Sequence, residues 1–165
     1  PAYLFLNFSG FIDMVIGVSA VLGFNISKNF DRPYLATNVR DFWRRWHISL
    51  TELLKDLVHI PVLKSLDRLG IKNDFLKYTM AVFLVFLAMA YWHGSTINFY
   101  LFSAIQFIAL VIQRAMRNPA PPVEPDGAII IGVKTLAMWV YIAFSFFFFE
   151  NSWSQIQLIL NVFKT

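Results

Sequence analysis

Four stretches of this chain, about Tyr3–Phe24, Phe75–Trp92, Thr96–Met116 and Ala128–Phe149, are apolar with very few charges. At about 1.5 Å per helical residue, each is long enough to cross a hydrocarbon layer of roughly 30 Å. A water-soluble core has no use for so much apolar surface. Hydrophobic residues make up 58% of the chain, 18 of the 165 residues are Phe, and mean hydropathy is +0.57. Charged residues are only 15%, against about a quarter in ordinary soluble proteins. The expected fold is all-α: polytopic transmembrane helices with one amphipathic interfacial helix, forming a single transmembrane region over residues 1–165. Asn7, Ser9, Gly10, Asp13 and Gly17 mark the first run as a helix packed against other helices.

Between the first and second runs, residues 25–77 carry ten of the fourteen Lys and Arg but only six of the ten acids. By the positive-inside rule this segment belongs on the cytoplasmic side of an inner or plasma membrane. The net charge of +4 is thus read as orientation and contact with anionic headgroups, not as nucleic-acid binding. Val39, Phe42, Trp43, Trp46, Leu50, Leu53, Leu54 and Leu57 share one helical face, opposite Arg44, Arg45, Glu52, Lys55 and Asp56. That period predicts one amphipathic helix over 39–58, capped by Asn38 and bracketed by Pro33 and Pro61. The second and third runs have almost no loop between them, so they are expected to be antiparallel neighbours. Arg114 and Arg117 then return the chain to the basic side. Residues 118–127, with four Pro, read as a linker, Lys134 as a snorkelling residue, and Trp153–Phe163 as a segment too short to span. The chain starts at Pro without a basic leader or cleavage site. It is therefore expected to be a piece of a longer multi-pass protein without a signal peptide.

An ionisable group inside an apolar run is costly unless a cavity or partner compensates. His93, between Trp92 and Gly94, is the leading case. A neutral imidazole can take a proton from a hydroxyl and return it; the alternative is a residue that only caps a helix end. His47, on the apolar edge of the amphipathic period beside Arg40, either faces the protein interior or sits at headgroup level. His59 reads as an ordinary loop or interface residue. Asp13 suits a packing role, or a cation site in a transporter or channel. Arg40, Arg44 and Arg45 suit lipid headgroups or the phosphates of a phosphopantetheine or nucleotide. Without cysteine or an HExxH pair, a metal site has little support. A nucleophile elbow and a phosphate-binding Gly-Lys-Ser/Thr loop are also missing.

Together, three segments resemble the bacterial membrane-bound O-acyltransferases. One runs Asn29-Phe30-Asp31-Arg32-Pro33-Tyr34-Leu35 and continues at Asp41-Phe42-Trp43-Arg44-Arg45-Trp46-His47-Ile48-Ser49-Leu50. Upstream lies Asn7-Phe8-Ser9-Gly10-Phe11-Ile12-Asp13-Met14, and downstream Trp92-His93-Gly94. The resemblance covers residues 1 to about 115 and implies the C-terminal part of a larger helical bundle. It implies an acyltransferase that moves an acyl group, acetyl in the nearest branch, from a cytoplasmic thioester to a hydroxyl of an extracytoplasmic polysaccharide or cell-wall polymer. The donor would be acetyl-CoA or an acyl carrier protein, with no bound cofactor, and other envelope acylation proteins would be partners. His93 would be the general base and His47 would polarise or position the donor. Trp92, Asp13, Trp43, Arg44 and Trp46 would contact substrates. A neighbouring branch transfers D-alanine to teichoic acids. After His47 the chain departs from the acetylating branch: Thr51 to Pro61 has Lys55-Asp56 in place of an Arg-Asp pair, losing the bidentate fork.

Overall fold

All regular structure among the described residues of the computed structural model, 2–116 and 127–162, is helical. In chain order the α-helices are α1 (Ala2–Val21), α2 (Val39–Arg45), α3 (Ile48–Leu54), α4 (Ile60–Arg68), α5 (Asp74–His93), α6 (Ile97–Ala115), α7 (Ala128–Glu150) and α8 (Trp153–Val162). Four of them, α1, α5, α6 and α7, are long and apolar enough to cross a membrane, and they coincide with the four apolar runs. The expected linker lies outside the described residues except for Gly127, as does Arg117.

The chain divides into two units, residues 1–53 with 125–140 and residues 54–124 with 141–165. In the first, aromatic rings join α1 to the loop that follows it. Phe5 meets Phe30, Tyr34 and Trp46 at 5.6, 6.0 and 6.0 Å between centroids. Phe42 stacks on Trp46 at 5.5 Å. A 3-10 turn, Pro33–Leu35, turns the loop toward α2, and Trp139 donates its indole N–H to the carbonyl of Tyr34 at 3.0 Å. Asn38 caps α2 as expected, its Oδ1 accepting from Asp41 N at 2.9 Å.

The single helix expected over 39–58 is instead interrupted. Trp46 is extended and His47 has φ +47°, in the left-handed region, before α3 starts at Ile48. The cause is the loop at 29–31, which lies along the break: Asp31 N donates to Arg45 O at 3.0 Å and Ile48 N to Asn29 O at 2.9 Å. These bonds replace intrahelical ones, so the apolar period continues while the backbone does not. Arg45, expected on the wet face, is half-buried because it ties the same loop. Its Nε reaches Asp41 Oδ2 at 3.0 Å and its Nη1 donates to the Asp31 carbonyl at 3.3 Å.

In the second unit Pro61 also acts differently from expectation. The chain passes through one π-helical turn, Lys55–His59, and Ile60 N bonds Lys55 O before α4 continues to Arg68. Proline has no N–H to give and its ring crowds the preceding turn. The wider π turn relieves both problems while Pro61 occupies the tolerant first turn of α4. Asn73 caps α5 through Leu76 N at 2.9 Å. Lys77 bridges Asp67 and Asp74 at 2.8 and 2.9 Å, joining the end of α4 to the start of α5. Helices α5 and α6 form the expected hairpin and pack along their length, with Arg114 over the Tyr78 ring at 5.6 Å.

Part of α7 packs on α6 through two layers. The first is aromatic, with Phe102 against Phe146 and Phe149, each at 5.1 Å. The second is polar and buried: Gln106 Nε2 donates to Ser145 Oγ, and Tyr141 donates its hydroxyl to Gln106 Oε1, both at 2.9 Å. Gln106 and Ser145 have no exposed surface, so their amide and hydroxyl groups must satisfy one another or neighbouring backbone.

Candidate functional site

His93 is the last residue of α5, and its placement follows from how that helix ends. Ser95 N donates to Ala90 O and Gly94 N to Tyr91 O, each at 3.2 Å. This is the Schellman closure, which needs a residue with positive φ just after the helix. Gly94 supplies it with φ +128°, and Ser95 follows at φ +55°. The His-Gly pair thus ends the helix with the imidazole at its C-terminal edge. Three rings surround that imidazole: Trp92 at 4.6 Å, Phe149 at 4.8 Å edge-on, and Phe99 at 5.5 Å stacked. The side chain is half-buried, whereas Trp92 is 60% exposed.

In the other unit His47 occupies the break between α2 and α3, and one residue organises it. Asn29, 8% exposed, accepts from Ile48 N through its carbonyl and from Ser49 N through Oδ1, both at 2.9 Å. The same Oδ1 lies 3.4 Å from His47 Nδ1. His47 O accepts from Thr51 N at 3.0 Å, so His47 is the N-cap position of α3, and Asn29 caps that helix from eighteen residues upstream. The Phe8 ring stands edge-on to the imidazole at 4.9 Å. Burial holds the His47 pKa below its ordinary 6.5, which favours the neutral ring.

The other expected site residues fall into two groups. Trp43 and Trp46 are buried at 8% and 7%, with Trp46 enclosed by Phe5, Phe30 and Phe42. Asp13 and Arg44 are exposed, the first on α1 and the second in the last turn of α2. His59 lies in the π turn, edge-on to Tyr78 at 6.5 Å. Its pKa is lowered by burial and by the Lys55 ammonium. Residue-by-residue reading missed the partners of both histidines: Asn29 and Phe8 for His47, and Phe99 and Phe149 for His93. For Asn29 the available signal was a polar residue followed at once by an aromatic one, in a loop rich in charge.

Comparison with known proteins shows which family these segments belong to. The model of the membrane-bound O-acyltransferase family, MBOAT, matches residues 1–155. The chain is 37% identical over 141 residues to the probable alginate O-acetylase AlgI of Pseudomonas aeruginosa, covering 84% of this chain and 26% of that protein. It is 31% identical over 156 residues to the peptidoglycan O-acetyltransferase of Helicobacter pylori, covering 94% and 28%. It is 37% identical over 93 residues to the teichoic acid D-alanyltransferase of Bacillus subtilis, covering 56% and 24%. The chain thus spans about a quarter of the length of these relatives.

Proposed function

The chain belongs to the membrane-bound O-acyltransferase family, and from that premise we propose that the protein transfers an acyl group, acetyl in the favoured reading, from a cytoplasmic thioester to a hydroxyl of an extracytoplasmic polysaccharide or cell-wall polymer. The observation that carries this reading is His93, half-buried at the end of a membrane-length helix and held among three aromatic rings.

In the proposed reaction the neutral imidazole of His93 accepts the proton of the acceptor hydroxyl as its oxygen attacks the thioester carbonyl carbon. The C–S bond then breaks, and the departing sulfur takes the proton back from His93. The products are the ester and the free thiol, so atoms and charge balance without a covalent enzyme intermediate. Trp92, Phe99 and Phe149 restrict the imidazole's rotation, which is the orientation that an efficient proton transfer needs. His47 holds the donor, and the exposed Arg44 guanidinium, beside Arg40, meets phosphates on a coenzyme A or carrier-protein arm. The inner or plasma membrane is the proposed location, with the basic segment 25–77 on the donor side.

A second reading, D-alanyl transfer to teichoic acid, is favoured by the 37% identity to the Bacillus subtilis enzyme. Intact-mass analysis of the envelope polymer from cells lacking the protein separates the two. A missing acetyl group is expected; a missing alanyl group selects the second reading, and an unchanged polymer contradicts both.

A further inference from the structure

We propose that Asn29 is a positioning residue that sets the tautomer of His47, fixing the imidazole proton on Nδ1 and leaving the ring lone pair on Nε2, so that neutral His47 acts as a hydrogen-bond acceptor. This rests on the reading that His47 takes part in acyl transfer. The orientation of the Asn29 amide is not arbitrary: Ser49 N–H is a donor, so the atom 2.9 Å from it must be the oxygen. That same oxygen lies 3.4 Å from His47 Nδ1. An amide oxygen only accepts, so the ring nitrogen facing it is favoured in its protonated form. The contact is long and individually weak, yet both partners are pinned. Asn29 is buried and bonded to two consecutive backbone N–H groups. His47 is held at φ +47°, a conformation that a β-substituted residue adopts only when its surroundings enforce it, while Phe8 closes another side of the ring. A neutral amide is also suited to this task, because a carboxylate in its place would favour the imidazolium.

The chemical consequence concerns what His47 recognises. A neutral ring with its proton on Nδ1 cannot polarise a thioester carbonyl through Nε2, which has no hydrogen to donate. It can accept from an N–H or O–H, so the matching substrate group is a hydrogen-bond donor, such as an amide of a pantetheine-type arm or a hydroxyl.

Histidine-specific nitrogen-15 spectra of the labelled full-length protein, with His47 assigned by its loss in His47→Gln, read the tautomer directly. The parent is expected to show Nδ1 protonated and Nε2 not. In Asn29→Leu the population is expected to move toward the Nε2-protonated form that free histidine prefers. Acyl transfer should fall about 10- to 100-fold, as it does when an orienting partner is removed from a metal-bound histidine. Asn29→Asp, which keeps an oxygen at the same place, should retain the Nδ1 proton. A parent His47 carrying its proton on Nε2 overturns the assignment, as does an Asn29→Leu variant with unchanged nitrogen shifts. If Asn29→Leu does not fold, the parent spectrum alone decides. A His47→Gln variant that transfers at the parental rate removes His47 from the reaction while leaving the tautomer assignment standing.

Discussion

Replacing Gly94 by Ala should separate the role of His93's placement from the general cost of backbone strain, because the chain contains a matched control. Gly94 and Gly70 both close Schellman motifs. At the end of α4, Gly70 N bonds Asp67 O and Ile71 N bonds Leu66 O, at 3.0 and 3.1 Å, with Gly70 at φ +76°. A Cβ on Gly70 meets no atom within 4 Å, whereas one on Gly94 lies 3.5 Å from Phe99 Cε2. That is ordinary contact, so neither substitution clashes and both costs are conformational. For Gly70→Ala the left-handed penalty is about 1–2 kcal/mol. At φ +128° Gly94 lies farther from the left-handed well, which places Gly94→Ala toward the upper end of about 1–3 kcal/mol. Relaxing that strain means rotating the turn that carries His93, and a displacement of about 1 Å at a reacting group can cost on the order of 100-fold in rate. Full-length protein in detergent should be assayed for unfolding free energy and for acyl transfer per folded molecule. Gly94→Ala is expected to lose about 100-fold in rate, and Gly70→Ala to stay within about 2-fold despite its own loss of about 1–2 kcal/mol of stability. Equal rate losses in the two variants, or a parental rate in Gly94→Ala, would show that the turn at Gly94 does not set the rate through His93.

The buried Gln106, Tyr141 and Ser145 cluster should couple α6 to α7. A double-mutant cycle with Gln106→Leu and Ser145→Ala is expected to give about 0.6 kcal/mol of interaction energy, and no more than about 1.7 kcal/mol, the average and the maximum for such bonds between membrane helices; zero coupling would show that the 2.9 Å bond is energetically idle. His47 and His59 should make the fold acid-sensitive, since both have pKa values depressed in the folded state from the ordinary 6.5. The unfolded chain then binds more protons, so their contribution is complete above about 6.5 and stability falls as pH drops through and below that value. His47→Gln should flatten that acid limb in an unfolding titration between pH 7 and 5, and an unchanged slope counts against a desolvated His47. Asn73→Ala should remove the cap of α5 and lower stability by about 1 kcal/mol, with no loss of transfer rate per folded molecule.

What the sequence made legible divides along physical lines. Spanning helices depend on composition within a window, and α1, α5, α6 and α7 lie where the apolar runs place them. The cap at Asn38 depends on a hydrogen bond three residues away and was equally readable. The break at His47 was not, because the apolar face continues from Trp43 and Trp46 to Leu50 while the cause lies in the loop at Asn29. Pro61 misled for a related reason: proline excludes an ordinary helical bond but not a π turn, and only packing chooses between ending a helix and widening it. His93 and Gly94 were visible as a pair. Phe149, more than fifty residues downstream, reaches His93 only through the packing of α7 on α6, which periodicity along one helix cannot supply.

Whether His93 moves the proton in acyl transfer is decided by assaying purified full-length protein carrying His93→Ala or His93→Gln with a labelled acyl thioester and its polymer acceptor. Loss of a general base predicts a fall in the transfer rate of about 100- to 10,000-fold in both variants, with donor binding retained. Transfer at the parental rate in either variant would rule out His93 as the general base.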